Sequence, residues 1–176
     1  MIIKKFSFYL TILFIFFYPN ITLSNNNIYY LDMNYLMNNS LAGKSIIEKL
    51  DKKTKFNKKK FKEDEKYLQT EEKNIISKKN VLSKEEYLKE VQLFKKKVEE
   101  YKLSRSKTIN QISKIKDNAQ RTLIDSVTLI LANYAEKNSI SYIIQKQNIL
   151  IGKKELDITS SILEILNSKI KSIELK

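Results

Sequence analysis

The sequence predicts a mainly α-helical chain with a small β body, an α+β fold in which a long antiparallel helical hairpin projects as an arm from a compact base. Three observations predict it. Gly occurs twice and Pro once in 176 residues, too few turn-formers for a sandwich, a barrel or a doubly wound sheet. Two long stretches, Ser40 to about Lys79 and Ser83 to about Lys137, contain no Pro and, beyond Gly43, no Gly. Apolar residues in both stretches recur with the spacing of a coiled-coil seam.

The first 24 residues read as a secretory signal. Lys4 and Lys5 give a short positive start, and Phe6 to Tyr18 is an apolar core of 13 residues. That is shorter than the ~20 residues a spanning helix needs. Pro19 and Asn20 break it, and Thr22-Leu23-Ser24 supplies small residues for cleavage before Asn25. An uncleaved anchor is the competing reading; the polar run Asn25-Asn26-Asn27 speaks against it.

Residues 25–39 open the expected body. Asn27 to Asp32 has the β propensity of one short strand, through Ile28, Tyr29 and Tyr30, and Met33 to Asn39 reads as a brief helix. The arm then occupies residues 40–123. Its first helix, about 40 residues, would extend ~60 Å. Asn80 to Ser83 interrupts it, and Ser83 with Glu86 forms the S-x-x-E capping box that starts a second helix. Two long helices joined by so tight a turn must fold back on each other.

Phe61, Leu68, Ile75 and Leu82 repeat every seven residues on the first helix, interleaved with charged Asp64, Glu71 and Lys78. On the second, Tyr87, Val91, Phe94, Val98 and Tyr101 alternate four and three apart, and the series resumes at Thr108, Ile112, Ile115 and Ala119 after Arg105. These residues are expected to be the hairpin's own core. A turn near 80–83 pairs positions whose numbers add to about 164, which places Lys66 to Lys73 opposite Val91 to Val98.

Residues 124–176 return to the body. Leu123 to Tyr134 is markedly more apolar than the arm. Ser139 to Gln145 reads as a strand, Ile149 to Ile151 as another that Gly152 ends, and Asp157 as the N-cap of a last helix from Ile158 to about Ile173. A base this small is marginal alone, and oligomerisation is the expected remedy. Ile28, Tyr30, Ile140, Ile143, Ile144, Ile158 and Ile162 are the candidate body and interface residues.

His, Cys and Trp are absent. Thiolate nucleophiles, imidazole bases and every His- or Cys-bearing metal site go with them. A carboxylate or Ser–Lys enzyme would need a pocket that nothing in the sequence suggests, so no catalytic, cofactor-binding or metal-ligating residue is expected, and the chain reads as a non-enzyme. Charge is concentrated. Between Lys44 and Arg121 there are 24 basic and 13 acidic residues, a net of +11. Once Lys4 and Lys5 are set aside, the rest of the chain is neutral, so the arm is the electrostatic surface.

The order of elements resembles the Skp/OmpH family of periplasmic chaperones. The resemblance rests on N-I-Y-Y-L-D-M-N-Y-L (Asn27 to Leu36), V-L-S-K-E-E-Y (Val81 to Tyr87), I-S-Y-I-I-Q-K-Q-N-I-L-I-G (Ile140 to Gly152) and L-D-I-T-S-S-I-L-E-I-L-N (Leu156 to Asn167). Asp32 and Asp157-Ile158-Thr159 match the family's recurring marks. Tyr29 and Tyr30 depart from it, where small or β-branched residues are usual, and the arm is richer in Lys and Tyr.

The resemblance implies a homotrimer whose body is a small shared β-barrel, with three hairpin arms enclosing a cavity in the periplasm of a Gram-negative bacterium. It implies ATP-independent binding of unfolded outer-membrane proteins. In that setting Lys52, Lys53, Lys55, Lys58, Lys59, Lys60 and Lys62, with Lys95, Lys96 and Lys97, are the candidate client-binding residues, set against the plainer reading of a solvated face. Lys78, Lys79 and Lys84 around Val81 and Leu82 fit contact with an anionic membrane surface, each lysine adding about 1 kcal/mol, against a simple loop. Two other functions compete: a structural coiled-coil adaptor of the envelope, and nucleic-acid binding, which a pI near 9.6 invites. The sequence has no groove-reading motif, so no specific nucleic-acid partner is expected.

Overall fold

The computed structural model describes residues 27–175. The expected signal segment, residues 1–24, lies outside them. The element order is β1 (Ile28–Leu31), α1 (Met33–Asn39), α2 (Leu41–Ser77), α3 (Lys84–Lys137), β2 (Tyr142–Gln145) and α4 (Thr159–Lys169). Helix dominates and one small sheet accompanies it.

Local chemistry sets the boundaries. Asp32 caps α1 by accepting from the Tyr35 N–H at 2.8 Å. Ser40 caps α2, its hydroxyl accepting from the Gly43 N–H at 3.0 Å. The capping box is formed: the Ser83 hydroxyl accepts from the Glu86 N–H and the Glu86 carboxylate accepts from the Ser83 N–H. The Ser83 hydroxyl also donates to that carboxylate, and these bonds hold the Glu86 pKa below its usual value.

Helices α2 and α3 pack antiparallel along the seam. Every predicted seam residue is buried or half-buried, and Arg105, the predicted interruption, is exposed. The register differs from expectation. Glu65 bonds to Tyr101, Glu71 to Lys97 and Lys78 to Glu90, so facing numbers add to 166–168 rather than about 164. Polar pairs across the seam decide it, which the turn's position alone does not reveal. As α3 reaches the base its buried residues become Ala119, Leu123, Val127 and Ile130. The stripe thereby drifts from the heptad toward the 3.6-residue period of a helix in a globular core.

The core lies wholly in the base. Leu31, Leu36, Ala42, Ile46, Leu123, Val127, Ile158, Ile162 and Leu166 form one cluster, drawn from both ends of the described chain and the roots of both long helices. The α1–α2 corner is polar but satisfied: the Leu41 N–H donates to Asn167 Oδ1 at 2.8 Å, tying the corner to α4.

Strands β1 and β2 pair in parallel, Ile28 opposite Tyr142 through Leu31 opposite Gln145. Three expectations need correction here. The second strand begins at Tyr142, not Ser139, because α3 runs to Lys137 and Ser139 takes a left-handed φ of 51° that ends it. Ile149 to Ile151 is not a strand. It follows a 3₁₀ turn and has no partner, and Leu150 and Ile151 are 98% and 90% exposed. The last helix has Ile158 as N-cap and stops at Lys169.

Candidate functional site

The arm is thin. Between Ile47 and Ser77 only Ile75 of α2 is buried, and α3 buries nothing before Ala119. The other seam residues of the arm are half-buried, and polar Glu65 and Glu71 lie among them, so the arm has little buried interior of its own. Its middle is held by a knot. Tyr101 Oη and Arg105 Nη1 both donate to Glu65 Oε1, at 2.6 and 2.5 Å. The Phe61 ring meets Tyr101 edge-on at 6.4 Å, and the Arg105 guanidinium lies 5.5 Å from the Phe61 centroid. Burial and the bond to Glu65 push the Tyr101 hydroxyl pKa up, with Arg105 opposing.

All ten candidate client-binding lysines are exposed. Lys52, Lys55 and Lys59 pair along the helix with Glu48, Asp51 and Glu63. Lys53, Lys58, Lys60 and Lys62 pair with no carboxylate among the described residues. Lys97 pairs across the seam with Glu71, whose hydrogen bond holds the ammonium pKa above its usual value. That pairing puts Lys95 to Lys97 nearer the tip than the block.

The block faces the part of α3 that carries Arg105, Lys107, Lys114 and Lys116, and Lys53 and Lys114 rim one groove. Sequence reasoning did not single these lysines out, and its register was short by two to four. The opposite-charge couples Lys78–Glu90 and Glu71–Lys97 were the signal that would have found it. At the tip, Val81 and Lys79 are exposed, Leu82 turns half into the seam, and Lys78 is engaged by Glu90 at 3.0 Å.

The candidate interface residues divide. Tyr30, Ile140, Ile158 and Ile162 are buried within the single chain, so they build the body itself. Ile143 packs half-buried on the core, while Ile28 and Ile144 remain exposed. Tyr142, Leu150 and Ile151 are likewise exposed apolar residues of the base.

The Asp157-Ile158-Thr159 run is a fastener. Asp157 Oδ1 accepts from the Thr159 N–H at 3.0 Å and from its hydroxyl, and Oδ2 accepts from Lys146 Nζ at 2.7 Å. Thr159 Oγ1 in turn accepts from the Asp32 N–H at 2.9 Å, and the Ile158 N–H donates to the Tyr30 carbonyl. The Tyr30 hydroxyl donates to the Lys153 carbonyl, and a Cβ on Gly152 would lie 2.9 Å from the Tyr30 ring. Strand β1, the turn at Lys146 and the start of α4 are thus one hydrogen-bonded unit.

Burial works against the Asp157 carboxylate, but the bonds from Lys146 and Thr159 outweigh it and hold its pKa below the usual value. A depressed carboxylate contributes stability above its unfolded pKa and loses it as pH falls through the folded value, so this contribution is lost below about pH 4. Asp157→Asn is expected to cost about 1–3 kcal/mol at neutral pH. It should also flatten the acid limb of a plot of urea midpoint against pH; an unchanged limb would remove Asp157 from this role.

No helix among the described residues is long and apolar enough to cross a membrane. No curated protein matches the chain. The fold is similar to that of a solved OmpH-like protein from Caulobacter crescentus CB15, assigned as an outer membrane chaperone. The TM-score is 0.79 at 13% identity, over 84% of this chain and 88% of that one. A family model described as outer membrane protein (OmpH-like) matches residues 27–166. The match runs from the strand and cap at Asp32, through both arm helices, to the fastener and α4: the chain belongs to the OmpH-like outer membrane protein family.

Proposed function

We propose that this protein is an ATP-independent periplasmic holdase, enzymatically inert, that keeps unfolded outer-membrane proteins from aggregating between basic arms. Membership of the OmpH-like family supports the chaperone role. The observation that carries the mechanism is the arm: exposed, net +11 between Lys44 and Arg121, and with little buried interior of its own. A field of that size attracts acidic unfolded chains at long range with little geometric demand. A surface of scattered apolar side chains then holds them weakly enough to let go.

The body supports a trimer in this reading. A two-stranded sheet is not stable by itself, and Tyr142 and Ile144 in the sheet, with Leu150 and Ile151 after it, are exposed. Three copies sharing that surface would close the base and point the arms the same way. Export with a cleaved signal completes the proposal.

Without nucleotide, the chain lacking residues 1–24 is expected to suppress light scattering from a urea-diluted outer-membrane β-barrel at stoichiometric amounts. Scattering that rises as fast with the protein as without it ends the holdase reading. A monomeric mass in solution ends the cage.

A further inference from the structure

The arm carries two grooves between α2 and α3, of about 630 and 490 Å³. The lower, nearer the base, has Phe56, Ile112 and Ile115 as its apolar surface, rimmed by Lys53 and Lys114. The upper has Ile75, Leu93 and Phe94. The two share part of their lining under a shift of 21 residues on both helices, while Phe56, Thr108 and Ile112 of the lower have no counterpart in the upper. Asn57 of the lower corresponds to Lys78 of the upper, Lys114 to Leu93, and Ile115 to Phe94. Twenty-one residues are three heptads, so both grooves open on the same side of the hairpin. The knot at Glu65, Tyr101 and Arg105 closes the seam between them.

We infer that the two grooves bind the two ends of one extended client segment of membrane-strand length, an apolar side chain at each end. The inference rests on the holdase reading and names its subsites. Three heptads of helix span about 30 Å, the reach of about nine residues of extended chain. A transmembrane β-strand is about 9–11 residues long, with aromatic residues at both rims.

Chemistry favours a polypeptide as the occupant. Glu71 Oε2, on the upper groove, is a buried acceptor with no hydrogen-bond partner among the described residues, a place for a backbone N–H. Lys53 and Lys114 pair with no carboxylate among the described residues and suit an acidic residue beside the lower anchor. Phe56 is 70% and Leu93 52% exposed, surface that a client side chain would cover.

The test uses the chain lacking residues 1–24 and fluorescein-labelled Ser/Thr peptides, read by anisotropy. One peptide carries two Phe anchors about nine residues apart, a second has them about four apart, and a third has one anchor. A four-residue spacing reaches only about 13 Å and cannot engage both grooves. The nine-residue peptide is expected to bind roughly tenfold or more tightly than the other two, as linked sites do when the linker spans them.

Phe56→Ser and Leu93→Ser, both at exposed positions, should each bring it down to the one-anchor affinity with helical circular dichroism unchanged. Equal affinity for both spacings, or indifference to both substitutions, overturns the two-groove inference. If aggregation suppression persists in that case, the holdase reading stands without it; if suppression is also absent, that reading falls as well.

Discussion

Gly43→Ala lowers the unfolding free energy of the base by about 3 kcal/mol or more, the upper range for a single substitution. A Cβ at this position would stand 1.9 Å from the Met37 carbonyl oxygen and 2.8 Å from its carbon. Those atoms are backbone, at the end of α1, and cannot swing aside as a side chain would. The neighbours cannot give either. Ser40 is fully buried and its hydroxyl holds the Gly43 N–H, Leu36 is fully buried beneath, and the Leu41 N–H is bound to Asn167. Moving α1 off α2 opens the core around Leu36. Ala is the better helix former elsewhere in α2, by about 1 kcal/mol over Gly, so the sign of the effect isolates the close approach. Urea unfolding followed by circular dichroism measures it; a neutral or stabilising Gly43→Ala would show that α1 is not packed as described.

Replacing all seven lysines of the Lys52 to Lys62 block by Gln slows client capture by roughly tenfold at low salt and leaves the fold intact. The substitution takes the arm from +11 to +4, a loss of seven charges from one stretch of eleven residues. All seven side chains are exposed, and only three join an ion pair. Those pairs are worth about 0.3–0.5 kcal/mol each on a helix surface, so stability changes little. Capture by the unmodified chain should slow as salt rises, because at 1 M the screening length is only about 3 Å. The two proteins should then converge. Stopped-flow fluorescence with a labelled unfolded outer-membrane protein reads both arms of the test. Equal capture rates at low salt would remove the block from client binding.

The hairpin was legible because its determinants are local. Phe61, Leu68 and Ile75 on α2, Leu82 in the turn, and Tyr87 to Ala119 on α3, carry the seam in their spacing, and Ser83 with Glu86 marks the restart of the helix within four residues. What failed depends on partners far away in the chain. Ile149 to Ile151 has strand propensity but no strand beside it, and propensity without a ladder leaves a loop. Ser139 adopts a positive φ to end α3, which no side chain there announces. The register of the grooves followed from charge pairs rather than from the turn, and the lysines of α3 opposite the block were not singled out. Gly43 read as the last interruption before a long helix; its close approach to Met37 was visible only once α1 lay against α2.

The pairing of Ile28 with Tyr142 has a consequence for the order in which the molecule comes into being. The contacts of the hairpin nearest its turn join residues a dozen positions apart, as in Lys78 with Glu90, whereas the sheet, the fastener and the Leu41–Asn167 bond each close a loop of more than a hundred residues. Contacts that enclose little chain form early and those that enclose most of it form late. As the chain emerges N-terminus first, β1 must wait for nearly the whole arm before its partner exists. The limb is therefore expected to zip up from its tip while the body is still open, and the exposed apolar surface of the base is finished last, after the limb is already built.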